Sequence, residues 1–347
     1  MRMRIGVICP SEIAFRRFMP ALQKCDKLEF AGIAVYNEDE RFSTESISEA
    51  EINSKIQAEY DKAEKFTEEY GGKIYRGYET IAKSDDIDAL YIPLPPALHY
   101  KWAKLALENG KHVLVEKPST ICASYTLQLT EIAKKNNLAL HENYMFVFHN
   151  QIEAVDEIIK SGEIGEPRLI RISFGFPMRA ANDFRYNKEL GGGALIDAGG
   201  YTMKYASHLL GATARLATAN MNYIDGFNVD MYGSATMVND DGLIAQISFG
   251  MDNNYKCDLE VWGSTGCLTT GRILTAPVEF IPKAIIRKGN EDIEIRLPDD
   301  DAFLKSINHF VSCIEKKETR LENYQIIIRQ SELVEQFKNF SMGKRKC

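Results

Sequence analysis

Three side chains in the sequence combine the groups that reduction of a carbonyl requires. Lys117 follows an apolar, strand-like run, and Asp197 and Tyr201 lie in a glycine-flanked segment. Reduction places negative charge on the carbonyl oxygen, so a proton donor is needed beside a positive charge. Tyr201 and Lys117 fit these roles. An ammonium group stabilises the phenolate and so lowers the pKa of a tyrosine from its ordinary value of about 10. Taken singly, the three residues could equally be a surface cation, a helix-face carboxylate and a core aromatic.

Further binding groups surround this segment. On a helix Asp197 shares a face with Tyr201, where it would orient Lys117 or bind a sugar hydroxyl. A polar and aromatic group precedes the glycine turn, namely Arg179, Asn182, Arg185 and Tyr186. Arginine suits bidentate phosphate contacts, so we predict that this group binds a diphosphate or a nucleotide. A solvated loop is the equal alternative.

The first part of the chain alternates short apolar runs with helical patterns, which is typical of a parallel sheet with crossover helices. Strands are predicted at Met3–Ile8, Leu28–Val35, Lys73–Tyr75, Ala89–Leu94, His112–Val115 and Leu138–His141. Helices are predicted at Ala97–Asn109 and Ser119–Lys135. This order predicts a doubly wound, dinucleotide-binding α/β domain over residues 1–145.

One connection in this domain, from Asn37 to Gly71, is unusually long. Its apolar residues recur at helical spacing: Ile52, Ile56, Ala63, Phe66 and Tyr70. The pattern predicts a long amphipathic helix. Such a helix either packs on the sheet with a solvated outer face or contacts a partner, and the role of residues 43–70 stays open.

The second part of the chain, residues 146–347, is rich in strands. They are predicted at Arg168–Phe176, Leu216–Tyr223, Tyr232–Val238, Leu243–Phe249 and Leu259–Trp262. Asn239–Gly242 predicts a hairpin turn. Helices are predicted at Ala194–Leu210, Ala302–Lys316 and Arg320–Phe340, the last with a capping box of Thr319 and Glu322. We therefore expect an α+β domain with a large, mostly antiparallel sheet, whose last helix packs back on the first domain.

A phosphate-binding turn is expected where the first strand meets the first helix. The segment Cys9-Pro10-Ser11-Glu12-Ile13 occupies that place, but it lacks the usual glycines. Free backbone N–H groups at a helix N-terminus hold a pyrophosphate without glycine, provided that the φ angle of Cys9 stays negative. A simple turn with Ser11 as the helix N-cap is compatible with this interpretation.

Composition narrows the classes of function. A chain of 347 residues suits two domains, and a net charge of −7 disfavours binding to nucleic acid. The seven cysteines lack metal-ligand spacing, so we expect reduced thiols and no metal site. No apolar run reaches the roughly 20 residues of a membrane span, and the first residues do not resemble a signal peptide. We therefore expect a cytoplasmic enzyme that acts on a small molecule.

Three motifs resemble the Gfo/Idh/MocA oxidoreductases, in the same order and with suitable spacing. They are Tyr91–His99 (YIPLPPALH), Gly110–Pro118 (GKHVLVEKP) and Gly191–Tyr201 (GGGALIDAGGY). Within that family, three further segments are most similar to the sugar-nucleotide 3-ketoreductases of deoxysugar biosynthesis: Ala14–Leu22, Glu142–His149 and Asp183–Tyr186.

The resemblance implies a Rossmann-type NAD(P)-binding domain, a substrate-binding and oligomerisation domain, and reduction of the C3 ketone of a nucleotide-linked sugar. The implied catalytic residues are Lys117, Asp197 and Tyr201, and the implied substrate contacts are Arg179, Arg185, Tyr186 and Asp197. The implied cofactor contacts are Cys9, Ser11, Glu12, Ile13, Tyr36, Asn37, Leu94, Pro95, His99, Glu116, Lys117 and Asn143. Two alternatives stay open, a dehydrogenase of a free sugar or polyol and a non-catalytic dinucleotide-binding regulator, which the missing glycines would permit.

Three further expectations concern the cofactor and the assembly. The second strand is followed by Tyr36 and Asn37 rather than by the acid typical of NAD enzymes or by an arginine for the 2′-phosphate, and Glu38 is the nearest acid. We favour NADP, with NAD as the alternative. The family pattern predicts a cis peptide bond between Lys117 and Pro118. The open face of the sheet predicts a homodimer or a homotetramer.

Overall fold

The structure is a computed structural model, and it describes residues 2–41 and 48–343. The chain divides into two compact units. The first comprises Met1–Asn143 and Phe303–Ile328, and the second comprises Tyr144–Ala302 and Arg329–Cys347. Both units are therefore discontinuous in sequence, whereas the predicted domains are continuous.

The first unit is a doubly wound parallel sheet, as predicted. Its strands are β1 (Met3–Ile8), β2 (Leu28–Val35), β3 (Lys73–Arg76), β4 (Ala89–Ile92), β5 (His112–Glu116) and β6 (Leu140–Asn143), in the order β3-β2-β1-β4-β5-β6. Its helices up to β6 are α1 (Met19–Leu22), preceded by a π-helical turn at Ala14–Phe18, α2 (Glu38–Arg41), α3 (Glu49–Tyr70), α4 (Tyr78–Lys83), α5 (Pro96–Glu108) and α6 (Ala123–Lys135). Every residue of β4 is buried, as expected for a strand covered on both faces.

Strand β6 begins two residues later than the sequence predicts. Asn137 takes a positive φ of 58°, and the Leu138 N–H donates to the Ala133 carbonyl at 2.9 Å. These residues complete the C-terminal cap of α6, so Leu138 belongs to the cap instead of the strand.

The long helix predicted between the second and third strands is confirmed as α3. The Ser48 hydroxyl accepts from the Glu51 N–H at its start, and Gly71, with φ of 75°, ends it. Its buried face carries Phe66, whose ring lies 5.0 Å from that of Phe15. The helix therefore packs within its own unit. Residues 42–47 of the long connection lie outside the described residues.

The second unit contains an eight-stranded, mostly antiparallel sheet, as predicted. Its elements are α7 (Asn150–Lys160), β7 (Pro167–Gly175), α8 (Gly200–Leu210), β8 (Arg215–Asn222), β9 (Tyr232–Val238), β10 (Ile244–Gly250), β11 (Lys256–Gly263), β12 (Cys267–Gly271), β13 (Lys283–Lys288) and β14 (Glu291–Arg296). The order is β14-β13-β12-β11-β7-β10-β9-β8, with β7 and β10 parallel. The turn at Asn239–Gly242 joins β9 and β10 as a hairpin. Helix α8 packs on β7 and β10, so one face of the sheet is buried.

Two helices close the chain, α9 (Ala302–Glu315) and α10 (Lys317–Gly343). The predicted capping box is wrong, because α10 begins before Thr319 and the Arg320 N–H already donates to the Lys316 carbonyl. Tyr324 and Ile327 belong to the core of the first unit, whereas Leu333 belongs to the core of the second.

Within the described residues, every helix is too short or too polar to cross a lipid bilayer. The same residues contain no group of three or more His, Cys, Asp or Glu side chains arranged to hold a metal ion. Six cysteines of this part of the chain are free thiols.

Candidate active site

The turn after β1 has the backbone geometry of a glycine although its residue is cysteine. Cys9 has a φ of 80°, so the condition stated for a non-glycine residue at this position, a negative φ, is not met. A non-glycine residue in this region costs about 1–2 kcal/mol. The Ser11 N–H donates to the Cys9 carbonyl at 2.8 Å, and the Ser11 hydroxyl accepts from the Ala14 N–H at 3.2 Å. Ser11 thus caps the helix, and the tight turn is kept without glycine.

The surroundings of this turn fit a dinucleotide. Glu12 and Ile13, at the helix N-terminus, are both exposed to solvent. Helix N-termini bind phosphate through their N–H groups. Burial, with the nearby Glu59 carboxylate, raises the pKa of the Cys9 thiol to about 12, so the thiol stays uncharged beside such a phosphate.

The loop after β2 is held in place by the Glu40 carboxylate, which the sequence analysis did not predict. Tyr36 and Asn37 follow the strand directly, and the Tyr36 hydroxyl donates to the Lys55 carbonyl at 3.3 Å. The Glu40 carboxylate accepts from the N–H groups of Asn37 at 2.8 Å and Tyr78 at 2.9 Å. Glu40 therefore fixes the loop after β2 to the first turn of α4. The only signal for Glu40 in the sequence is that it follows closely after the end of β2.

The end of β4 is held by a buried histidine. Both ring nitrogens of His99 face backbone carbonyls, Leu94 at 2.7 Å and Pro118 at 2.8 Å, and the side chain is fully buried. Burial lowers the pKa of His99 to about 4, so the neutral ring donates to one carbonyl at a time. Leu94 and Pro95 form the turn itself. His99 positions that turn and does not present a ring nitrogen to the surface.

The end of β5 carries Glu116 and Lys117, followed by Pro118. The Lys117–Pro118 peptide bond is cis, as predicted. The Tyr91 hydroxyl and the Asn143 amide donate to the same Glu116 oxygen, at 2.7 and 2.6 Å. Burial raises the pKa of Glu116 despite these donors and the positive charge of Lys117. The predicted cofactor residues of the first unit thus lie at the carboxyl ends of parallel strands or just after them, with His99 in the first turn of α5. Such sheets bind ligands at this edge.

In the second unit, the glycine turn is shaped by a buried aspartate. The Asp230 carboxylate accepts from the Leu195 N–H at 2.6 Å, and its backbone carbonyl accepts from the Ala194 N–H at 2.8 Å. Gly193 has a φ of 118°, and a Cβ there would lie 2.3 Å from an Asp230 oxygen. Burial raises the pKa of Asp230 to about 6. No pattern in the sequence marked Asp230.

Asp197 and Arg185 form a partly buried ion pair. The Arg185 Nε donates to the Asp197 Oδ2 at 2.7 Å, and its Nη1 contacts Asp183 at 3.1 Å. Burial disfavours the guanidinium charge, but the two carboxylates outweigh it and raise the pKa of Arg185. The sequence predicts separate roles for the two residues: Arg185 binds a phosphate, and Asp197 orients Lys117 or binds a sugar hydroxyl. The structure instead joins the two residues to each other.

Tyr201 lies near the start of α8 in an aromatic setting and is 8% exposed. The rings of Tyr144, Phe174 and Phe146 lie 5.2, 5.4 and 5.6 Å from its own. A Cβ on Gly200 would lie 2.1 Å from the Tyr144 hydroxyl, so glycine is required there. The turn before α8, Leu195–Gly199, is π-helical and carries Asp197. Such turns occur often at functional sites.

The other predicted substrate residues lie on the surface of this unit. Arg179 and Asn182 are exposed. The Arg179 N–H donates to the Tyr186 hydroxyl at 2.7 Å, and the Arg179 guanidinium lies 5.2 Å from the Phe176 ring centre. Arg179 is therefore the more accessible of the two predicted arginines.

The doubly wound fold of the first unit and the residues at its strand ends define an oxidoreductase of the NAD-binding Rossmann type, and comparison with known families agrees. Residues 4–144 match the family described as "Oxidoreductase family, NAD-binding Rossmann fold", and residues 152–269 match the "GFO/IDH/MocA C-terminal domain". The chain belongs to the Gfo/Idh/MocA family of oxidoreductases.

Among characterised relatives, the chain is similar to sugar reductases. It is 35% identical over 332 residues to the dTDP-3,4-didehydro-2,6-dideoxy-alpha-D-glucose 3-reductase of Actinomadura kijaniata, covering 96% of this chain and 93% of the relative. The reductase of the same name from Saccharopolyspora spinosa is 36% identical over 310 residues, covering 88% and 86%.

Solved structures give the same relationship. KijD10, a 3-ketoreductase from Actinomadura kijaniata in complex with NADP and TDP-benzene, superposes with a TM-score of 0.88 at 34% identity, covering 98% of both chains. Structures of KijD10 variants with one tyrosine changed to phenylalanine, or with one lysine replaced, are similar to this chain as well.

Proposed function

We propose that the chain is an NADP-dependent ketoreductase that reduces the C3 ketone of a nucleotide-linked keto-deoxysugar. The observation that carries the proposal is the likeness to 3-ketoreductases over nearly the whole chain, together with Lys117 and Tyr201 in the two matching motifs. NADP is the cofactor of the ketoreductase structure, and the turn at Cys9 fits a dinucleotide phosphate. Residues 1–145 are assigned to cofactor binding and residues 146–347 to the substrate.

The roles of the residues follow from charge. When bound, the nicotinamide supplies the hydride. Tyr201 donates its hydroxyl proton to the oxygen of the ketone, so that hydride and proton together yield the alcohol. Lys117 stabilises the negative charge that passes from that oxygen to the phenolate. Asp197, fixed by Arg185, binds a sugar hydroxyl as an acceptor, and Arg179 is assigned to the diphosphate because Arg185 is already neutralised.

We assign the open face of the sheet to contact with a second copy of the chain. Ser173 and Ser248 lie on its central strands, and their hydroxyls are 2.9 Å apart. Trp262, on the same sheet, is 54% exposed. Small central side chains permit close approach of another sheet, and a large exposed aromatic supplies apolar contact. A homodimer or homotetramer acting in the cytoplasm is the proposed state.

The test is reduction of a nucleotide-linked 3-keto-deoxysugar, followed by NADPH absorbance, in wild type and Tyr201→Phe. General acid catalysis contributes about 10²–10⁴-fold, and we expect a loss of that order in turnover with little change in NADP affinity. Lys117→Ala should cause similar harm, and the double variant should be far less than multiplicatively worse, because the pair acts as a unit. The exposed Tyr223→Phe is the matched control.

Other outcomes separate the alternatives. A Tyr201→Phe enzyme with most of its activity would make Tyr201 a packing residue and refute the assigned mechanism. NADP reduction with a free sugar, and no activity on nucleotide sugars, would establish the sugar dehydrogenase. Binding of NADP, seen as a raised melting temperature, without turnover of either substrate class would support the regulator.

A further inference from the structure

A line of buried hydrogen bonds leads from helix α9 to the carboxylate beside Lys117. Ser306 of α9 donates its hydroxyl hydrogen to the Asn143 Oδ1 at 2.7 Å. The Asn143 Nδ2 in turn donates to the Glu116 Oε1 at 2.6 Å. Both Ser306 and Asn143 are buried, with 0% and 2% exposure. All three residues belong to the first compact unit.

The direction of these bonds is fixed by the groups themselves. A carboxylate only accepts, so the Asn143 amide must turn its NH₂ group toward Glu116 and its oxygen toward Ser306. The serine hydroxyl has one hydrogen, which it gives to Asn143. Its oxygen then faces the Nε2 of His141 at 2.9 Å as an acceptor. Every donor in the line therefore points toward Glu116.

Glu116 is constrained on its other sides as well. The Tyr91 hydroxyl donates to the same oxygen, and the Tyr91 ring is stacked on Phe18 at 3.9 Å. The Lys117 N–H lies 3.4 Å from the other carboxylate oxygen. Glu116 and Asn143 are also paired in the register of β5 and β6. Ser306 is the member of this arrangement that comes from a distant part of the sequence.

We propose that Ser306 is a positioning residue for Lys117, because through Asn143 it holds the Glu116 carboxylate ionised and fixed beside the lysine. The proposal rests on the proposed function for the importance of Lys117. The Glu116 carboxylate and the Lys117 ammonium attract each other, so a fixed carboxylate would orient the positive charge that is assigned to stabilise the developing negative charge. Helix α9 would thus act on the reaction without touching substrate or cofactor.

The titratable groups that act directly on Glu116 are Tyr91 of β4 and Lys117 of the loop after β5. Two histidines lie further along the line: His141 of β6 contacts Ser306, and the ring of His309 of α9 lies 5.3 Å from that of His141. On β6, Glu142 alternates to the opposite face, where its carboxylate accepts from the Ser119 N–H at 2.8 Å. Burial lowers the pKa of His309, which favours its neutral form. The charge most directly coupled to Glu116 is therefore that of Lys117.

The experiment is a ¹³C NMR titration of the Glu116 carboxyl carbon in the full chain labelled with ¹³C-glutamate, with Glu116→Gln to assign the signal. Ser306→Ala removes one hydrogen bond, and we expect the titration midpoint of Glu116 to rise by about half to one pH unit. Ser312→Ala, the same change on the same helix outside this line, should leave the midpoint unchanged.

A second variant keeps the test independent of the first. Asn143→Asp puts a carboxylate against Glu116, and like charges raise one pKa strongly, so the midpoint should rise further than in Ser306→Ala. In kinetics, the acid limb of kcat/KM for Ser306→Ala should move to higher pH with an unchanged KM for NADPH. A wild-type midpoint in Ser306→Ala would overturn the proposal. The titration needs no substrate, so that outcome is distinct from failure of the proposed function, which an active Lys117→Ala enzyme would reveal.

Discussion

Replacing Asp230 with asparagine is expected to stabilise the second unit, although Asp230 is buried and hydrogen-bonded. Asparagine has nearly the same shape, and its side-chain oxygen can accept from the Leu195 N–H as the carboxylate does. The change removes a charge that burial disfavours. It keeps the cap on the helical segment that carries Asp197 and Tyr201.

The magnitude follows from the pKa. The folded-state pKa of Asp230 is about 6, because burial outweighs its backbone donors. The unfolded value is about 3.9, and a difference of roughly two pH units corresponds to about 3 kcal/mol. Because the folded pKa is the higher one, the folded chain binds more protons between about pH 4 and pH 6. The free energy of unfolding therefore falls as the pH rises through this window, and ionised Asp230 costs about 3 kcal/mol at pH 8.

Urea unfolding at two pH values measures this effect. Each unit contains one of the two tryptophans, so a Trp102→Phe background leaves Trp262 to report on the second unit. At pH 8, Asp230→Asn should be more stable than the parent by up to about 3 kcal/mol, and at pH 4 the gap should nearly close. The other carboxylates titrate in both proteins, so their contributions cancel in the difference between the two free energies of unfolding. Exposed Asp225→Asn is the control. A gap that is the same at both pH values would refute the raised pKa.

The remaining predictions concern a thiol, an ion pair and an interface. Iodoacetamide at pH 8 should leave Cys9 unmodified in peptide mass spectra while Cys122, whose sulfur lies in a solvent-exposed hydrogen bond with Ser124, reacts. The pKa of the Cys9 thiol is about 12 and the thiolate is the nucleophile, so equal labelling of the two cysteines would contradict this prediction. Arg185→Lys should lower the free energy of unfolding by about 1.5–3 kcal/mol in urea, since lysine cannot bridge Asp197 and Asp183, and an unchanged midpoint would count against the ion pair. Ser248→Arg should convert the oligomer to monomers in light scattering, and a wild-type protein that is already monomeric at micromolar concentration would exclude the proposed interface.

The strands of the first unit could be predicted because parallel strands are buried on both faces and appear as continuous apolar runs. The exact ends of strands and helices could not be predicted, because the hydrogen bonds and backbone angles of the helix caps determine them. Asn137 adopts a positive φ and moves the start of β6, and the Arg320 N–H bond to Lys316 moves the start of α10. These are choices of backbone conformation that several residue types allow, so composition alone does not decide them.

The site residues that belong to sequence motifs could be predicted, whereas the contacts between residues distant in sequence could not. Lys117, Asp197 and Tyr201 lie in recognisable motifs. The pairing of Arg185 with Asp197 depends on the path of the glycine turn, in which the Gly193 N–H donates to the Arg185 carbonyl at 2.9 Å. Asp230 reaches this turn from a loop distant in sequence. Contacts of this kind leave no local periodicity in the chain.

The turn at Cys9 bears on the regulator alternative. That alternative was based on the absence of glycine in the phosphate turn, yet Cys9 takes the positive φ that glycine usually supplies. The backbone cost of about 1–2 kcal/mol is of the size that burying a small apolar side chain offsets, and the Cys9 side chain packs against the core of the first unit. Turn geometry is therefore retained by packing instead of by residue type. Loss of the glycines is then no argument for loss of the cofactor, and the case for a non-catalytic regulator loses the observation that supported it.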